Sequence, residues 1–376
     1  MKKILYITTI GTTVNAFLIP HIKFLIDKGY KVDVAANIDV EINDEILKAG
    51  ARVFNVPFQR NPLSFKNKDA FKSIKEIQQR ECYDIVHVHT PVASFVSRLA
   101  LRHEKNLKII YTCHGFHFYK GGSIANWIMF YPIEKIAAKW TDCILTINNE
   151  DFNLAEKFKL RGSGSVKKIN GVGIEKEKYC IENFDTNEYR EKLGFDEEDF
   201  IILVLAELNK NKNHMQLIEA INILKEKYPK IKVLLAGKGP LEENIKSKIA
   251  EYKLEEKIKL LGWRNDINEL INLSDLIGLF SKREGLGKCL LEGMVCGKPV
   301  IATNTRGPRE LIKDNWNGFL VEFGNPSQTA EAIIKIYENK ELKCMFGQNC
   351  LNKSKDYLLK NVLLQLDSEY KELYIK

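Results

Sequence analysis

Two glutamates with seven residues between them, in EGLGKCLLE (284–292), are the first candidates for chemistry. Glu284 opens a glycine-bearing turn, Gly285-Leu286-Gly287, and a helix is expected to begin near Gly287 or Lys288. Glu292 then lies about one turn inside that helix. A strand expected over 275–281 leads into the turn, and another follows at 298–303. Glycines at a strand end let a ligand approach the backbone. A helix N-terminus adds unsatisfied N–H groups and partial positive charge, which suits a phosphate. Carboxylates beside a phosphate would repel it, so they make sense as acceptors of hydroxyls on either side. An acidic residue holds ribose in this way in dinucleotide folds. A diphosphate with a sugar at each end is a nucleotide-sugar. Spacing alone leaves a second account open: Glu284 caps the helix and Glu292 is a solvated helix residue.

Histidines are the next candidates. His87 and His89 alternate on one strand and share a face, while His114 and His117 flank a turn. Four histidines raise the question of a metal. No aspartate or glutamate stands at ligand-like spacing from them, so no metal is expected, and His87 reads as a satisfied core residue. The stretch SIANWIMFYPIEKIAAKW (123–140) is aromatic and apolar, with Pro132 expected to kink or divide it. It reads as a mostly buried helix with an exposed edge that could meet a lipid; the alternative is a surface helix dipping into a membrane interface.

The elements that must position these residues alternate along the chain. Short apolar runs at 4–9, 31–36, 84–90, 108–113 and 143–147 are separated by helix-like segments such as 15–29, 65–80 and 92–103. The pattern restarts after a Gly-, Ser- and Lys-rich stretch, 161–179, with runs at 200–208, 231–239, 258–263, 275–281, 298–303 and 318–323. Alternating β and α units imply parallel sheets covered by helices on both faces. The expectation is an α/β protein of two doubly wound domains, 1–170 and 171–355. Residues 356–376 form a terminal helix that packs on the second domain or returns to the first. Ligands belong at the carboxyl ends of the strands, and in a cleft if those ends face each other.

With 376 residues, 45% apolar and 28% charged, the chain has the balance of a soluble globular protein of two or three domains. Its eight cysteines include no C-x-x-C pair and imply free thiols in a reducing cytoplasm. The opening MKKILYITTIGTT reads as a first strand rather than a signal peptide, and no apolar segment is long enough to span a bilayer. Of the net charge of +8, residues 1–170 hold 25 Lys and Arg against 16 Asp and Glu, so the first half carries the whole excess. That suggests an anionic partner such as a membrane surface, a lipid diphosphate or a nucleic acid; a merely solvated basic surface is the alternative.

The stretch SKREGLGKCLLEGMVCGKPVIATNTRGPREL (281–311) resembles the E-x(7)-E signature of glycosyltransferase family 4, retaining sugar transferases of the GT-B fold. The family pattern is a serine, two variable residues, E-G-[FL]-G, a helix bearing the second Glu, a small-residue turn and G-K-P-V, and all of it is present. The first half, with YDIVHVHTPVAS and YTCHGFHFYKGG, is similar to a subgroup from bacterial capsule and exopolysaccharide clusters. The resemblance covers essentially the whole chain.

It implies two Rossmann-like domains facing across a cleft and a function for each matched position. Glu284 would bind hydroxyls of the transferred sugar. The turn at Gly285 and the N–H groups of Leu286, Gly287 and Lys288 would hold sugar and diphosphate, and Glu292 would bind ribose. Gly262, Trp263 and Arg264 would lie beside the base, and His114 would face the donor sugar. Lys212 matches a diphosphate-binding lysine, but Glu207 stands where the family usually has an arginine. A carboxylate cannot neutralise a phosphate, so Lys210, Lys288 or Arg306 would supply the charge, or Glu207 binds a hydroxyl instead. The family's first loop often has paired glycines; here only Gly11 is present. Asn15, in the following segment, would touch donor or acceptor, or else cap its helix.

The resulting expectation is a metal- and cofactor-independent retaining glycosyltransferase on the cytoplasmic side, peripheral to an anionic membrane. It would move a sugar from a UDP-sugar to a lipid-linked saccharide by a front-face reaction. Two other classes remain: a GT-B nucleotide-sugar 2-epimerase, and a non-catalytic nucleic-acid-binding protein. The basic half lacks the interleaved aromatic and basic pattern of nucleic-acid binders, so no nucleic acid is expected.

Overall fold

Two all-parallel sheets organise the chain in a computed structural model that describes residues 1–62 and 64–375. The first contains β1 (Lys3–Ile10), β2 (Lys31–Asn37), β3 (Val53–Asn55), β4 (Ile85–His89), β5 (Lys108–Cys113), β6 (Cys143–Thr146) and β7 (Ser165–Lys168). Their order is β3-β2-β1-β4-β5-β6-β7. The second contains β8 (Phe200–Leu205), β9 (Ile231–Ala236), β10 (Ile258–Gly262), β11 (Leu276–Leu279), β12 (Val300–Thr303) and β13 (Gly318–Val321), ordered β10-β9-β8-β11-β12-β13. Helices between parallel strands must cover both faces, so central strands are buried throughout and read as continuous apolar runs. β4, β11 and β12 have no exposed residue.

Contacts divide the chain into two units. One comprises 1–172 together with the residues from 362 onward; the other is 173–361. Each has its own apolar core, one around Leu5, Val86 and Ile109, the other around Ile202, Leu217 and Val233. In each sheet the strand order reverses once, between β1 and β4 and between β8 and β11. Loops leaving those strands diverge to opposite faces, opening a crevice at their carboxyl ends.

Three features depart from the pattern read in the sequence. β3 and β7 were not signalled by apolar runs; both are edge strands without a fully buried residue, and β7 lies inside the 161–179 stretch. Pro132 does not divide its segment, since one helix runs Ile124–Ala138. The carbonyl that Pro132 leaves without a helical partner belongs to Ile128, on the solvent side, where water can satisfy it. The same helix is less buried than expected. Its aromatic side, with Trp127, Phe130 and Tyr131, packs on the first core, while Ile124, Ile128, Met129 and Ile136 are exposed.

The helix Leu359–Ile375 buries Val362, Leu363, Leu366, Tyr370 and Leu373 at helical spacing. From Val362 it belongs to the first unit. There Tyr370 Oη lies 2.6 Å from His87 Nδ1 and donates to Tyr6 Oη at 3.3 Å, and Lys167 Nζ meets Glu372 Oε2 at 2.9 Å.

Candidate functional site

The β8/β11 switch point gathers most of the candidate residues. The loop after β8 and the loop after β11 are tied together: Lys282 N donates to Asn211 O at 2.7 Å, and Asn211 Nδ2 donates to Arg283 O at 3.0 Å. This clasp brings Lys212 Nζ to 2.6 Å from Glu284 Oε1, with both side chains largely buried. Burial pulls the Lys212 ammonium down, but the Glu284 carboxylate and weaker neighbours outweigh it, and its pKa is raised above the ordinary lysine value. An ammonium has three donors, so a bond to Glu284 leaves it able to bind a further acceptor.

The turn between the two glutamates is shaped by glycine. Gly287 has φ +97° and starts the helix Lys288–Met294, a left-handed position that disfavours other residues. Gly307, after β12, lets a third segment close on the turn: a Cβ there would stand 2.8 Å from Leu286 N and 3.0 Å from Glu284 Cβ. That approach seats Arg306, buried, with its Nε donating to Glu284 O at 3.1 Å. Among the cations considered as substitutes for the missing arginine, Arg306 thus bonds directly to the Glu284 turn. Lys210 is exposed, and Lys288 Nζ sits 3.4 Å from Glu292 Oε1.

Glu292 has a partner that sequence spacing did not reveal. Tyr179 Oη donates to Glu292 Oε1 at 3.0 Å, and burial together with that carboxylate raises the phenol's pKa. Glu207 is exposed and accepts from Asn209 Nδ2 at 2.9 Å, while Asn209 Oδ1 accepts from Lys212 N at 3.1 Å. Its carboxylate therefore braces the loop that carries Lys212. Trp263 is exposed and Arg264 Nε donates to Asp266 Oδ1 at 2.7 Å, both just past β10, two strands from β8. His214 was also missed. It is buried beside Lys212, with its pKa lowered to about 4 by burial and then by that ammonium. Ser281, the serine of the signature, is buried with its Oγ lacking a protein partner, as are both His214 ring nitrogens. The Cys289 thiol is pushed up to about 12 by burial, so it is no nucleophile at neutral pH.

In the first unit, His114 follows β5 and its Nε2 lies 3.1 Å from His89 Nδ1. The rings of Tyr6, His87, His89 and His114 succeed one another at centroid distances of 4.8, 4.3 and 5.4 Å. Burial keeps these histidines neutral, with His114 lowered to about 4. His87 is satisfied as a core residue, through Tyr370 and through Thr112 Oγ1 at 2.7 Å. No group of His, Cys, Asp and Glu able to hold a metal occurs among the described residues. Asn15 neither caps a helix nor is unengaged: its amide bonds Glu41 O at 2.8 Å and Asn43 N at 3.0 Å, fastening the 41–43 loop.

Two family models match this chain: "Glycosyl transferase 4-like" over residues 3–148 and "Glycosyl transferases group 1" over 185–353. It is 39% identical over 350 residues to the putative glycosyltransferase EpsD of Bacillus subtilis, covering 92% of this chain and 90% of that protein. The chain belongs to glycosyltransferase family 4. The glycosyltransferase is also 29% identical over 336 residues to the UDP-Gal:alpha-D-GlcNAc-diphosphoundecaprenol alpha-1,3-galactosyltransferase of Escherichia coli, covering 88% and 85%. Among solved structures, Anabaena Alr3699/HepE in complex with UDP and glucose superposes with TM-score 0.82 at 20% identity, over 99% of this chain and 100% of that one. A Rickettsia africae glycosyltransferase gives 0.82 at 23%, over 99% and 98%. These likenesses establish the GT-B fold of the glycosyltransferase.

Proposed function

We propose that this glycosyltransferase moves a sugar from a UDP-sugar to a lipid-linked saccharide, with retention at the anomeric carbon, in building a capsule or exopolysaccharide. The contact between Lys212 and Glu284 carries this reading. It joins a cation suited to a diphosphate and a carboxylate suited to sugar hydroxyls, drawn from segments 72 residues apart. Arg306 beside the turn supports the charge that Glu207 does not supply. Tyr179 and Lys288 orient Glu292 toward a ribose. Trp263 and Arg264 would flank the base, and His114 is assigned to substrate contact in the first unit. The relative named for a diphosphoundecaprenol-linked substrate supports the acceptor class.

In the reaction the bond from the anomeric carbon to the diphosphate oxygen breaks, and a bond to the acceptor hydroxyl forms on the same face. The acceptor's proton passes to the departing phosphate oxygen. Glu284, already committed to Lys212 and to sugar hydroxyls, leaves no pair of carboxylates for a double displacement. Lys212, Arg306 and the N–H groups of Leu286, Gly287 and Lys288 stabilise the charge growing on the leaving group. No metal takes part, so activity should persist in EDTA; a strict requirement for added metal would refute that arm. Lys212→Ala should weaken UDP binding in calorimetry by roughly 10- to 100-fold, the worth of a charge-assisted hydrogen bond. Unchanged affinity would put the diphosphate elsewhere. The enzyme is further proposed to work on the cytoplasmic face of an anionic membrane, with the basic first unit toward the lipid.

A further inference from the structure

The first unit holds a cavity that the donor chemistry does not use. It has a volume of about 500 Å³ at the carboxyl ends of β1, β4 and β5, walled by Val92, Phe95, Phe116, Met129 and Ile133 among others. Its lining is mainly apolar. The carboxylate of Glu134 on its wall is paired with Arg98 Nη2 at 2.8 Å, and Arg98 stacks over Tyr111 at 4.3 Å, so that charge is neutralised within the wall. Beside it runs a groove of about 810 Å³ with a mixed lining, where Asn37, Asp39, Gln59 and Asn61 alternate with the rings of Phe58 and Phe65. Ile10 and Arg60 belong to both. The cavity rim also carries Thr90, a β-branched residue held at φ +61°, ψ 141°. Its Oγ1 is locked by Thr9 N at 2.9 Å and Thr9 Oγ1 at 2.7 Å. Such conformations cost free energy and persist where the surroundings over-determine them, often at ligand sites. Thr90 also directly follows β4 at the β1/β4 switch point, where doubly wound sheets bind ligands.

We propose that these three parts bind one amphiphile: a hydrocarbon chain in the cavity, its phosphate at Arg60, and a saccharide along the groove. The sequence of chemistries matches the order of a lipid-linked sugar phosphate. An apolar cavity of this size favours a chain removed from water, whereas a groove that sets amides and the Ser64 hydroxyl beside aromatic rings suits the hydroxyls and apolar faces of a sugar. Arg60 is exposed at the junction and presents a planar, permanently charged donor fork that phosphate favours. The helix Ile124–Ala138 supplies the entrance. Phe130 and Ile133 face the cavity, Ile124 and Ile128 face solvent, and Met129 does both, half-exposed at the boundary. Ile128 and Met129 thus offer a hydrocarbon chain an apolar approach to the cavity. The proposal rests on the lipid-linked acceptor of the preceding reading and assigns the residues that select it.

The test separates the two claims. Calorimetry measures farnesyl phosphate below its micelle concentration, with farnesol and inorganic phosphate as the other arms. The intact enzyme should bind farnesyl phosphate at least about tenfold more tightly than either fragment. Val92→Trp fills the cavity and should lose about tenfold for farnesyl phosphate and farnesol alike. Arg60→Gln, at an exposed position that does not threaten folding, should keep farnesol affinity and lose the gain from the phosphate. Farnesyl phosphate binding no better than inorganic phosphate, or equal binding by both variants and the parent, overturns the site. If the binding pattern holds but no lipid-linked saccharide accepts sugar, the proposed function fails and the site stands.

Discussion

Glu284 has two duties. It neutralises Lys212 at 2.6 Å, and its own backbone carbonyl anchors Arg306. Glu284→Ala keeps the second contact and removes the first. Turnover should fall by about 10²–10³-fold, the loss expected when the Lys212 ammonium and the sugar lose the group that positions them, while circular dichroism shows a folded protein. Tyr179→Phe is the milder companion and should cost only ~3- to 10-fold in nucleotide affinity. A Glu284→Ala enzyme with full activity would remove the carboxylate from the site. The two glutamates were readable because type and spacing are local signals. Tyr179, 113 residues from its carboxylate in a Lys- and Glu-rich segment, carries no local signal, and Arg306 became specific only when Gly307 allowed its segment to close on the turn.

At the scale of elements, the central strands were legible because burial on both faces demands continuous apolar runs, as in FIILVL of β8. Edge strands lack that demand, so β3 and β7 form without an apolar run, as VFN and SVKK, whereas the edges β10 and β13 keep one in IKLLG and GFLV. The helix Ile124–Ala138 failed for another reason. Apolar residues ring it on all sides, so periodicity could not say which face is buried. Packing decided that the aromatics turn inward, leaving Ile124, Ile128 and Ile136 exposed near Lys135 and Lys139, an apolar and basic surface suited to an anionic interface. Flotation with anionic vesicles should therefore recover the enzyme, and Ile128→Glu should reduce the floated fraction several-fold through the cost of placing a carboxylate in the interface. Equal flotation by parent and variant would assign membrane contact, if any, to another surface.

For the molecule as a whole, buried histidines dictate how stability responds to pH. Burial lowers the pKa of His21, His87 and His89 below the ordinary 6.5. Below that value the unfolded chain takes up protons that the native state refuses, so stability falls as pH falls. Each such histidine contributes a slope of up to about 1.4 kcal/mol per pH unit. Melting followed by circular dichroism should show a clearly lower midpoint at pH 5 than at pH 7.5. An unchanged midpoint would mean that these rings titrate freely. Lowered carboxylates such as Asp33 act in the same direction but only at more acidic pH, since they are lost as pH drops through their own depressed values.

The partnership between His87 and Tyr370 bears on the order in which the protein is made. β4 leaves the ribosome early, but the residues from Val362 that complete its unit follow the whole of 173–361 along the chain. While the second unit is being synthesised and folds, the first must wait with the seats of Val362, Leu366 and Tyr370 empty and the His87 ring lacking one hydrogen bond. A nascent first unit thus exposes apolar surface that only the residues from Val362 onward cover. Quality control is built into this order: a chain stopped before residue 362 would retain every residue of the EGLGKCLLE turn, yet its first unit would lack the helix that closes the core.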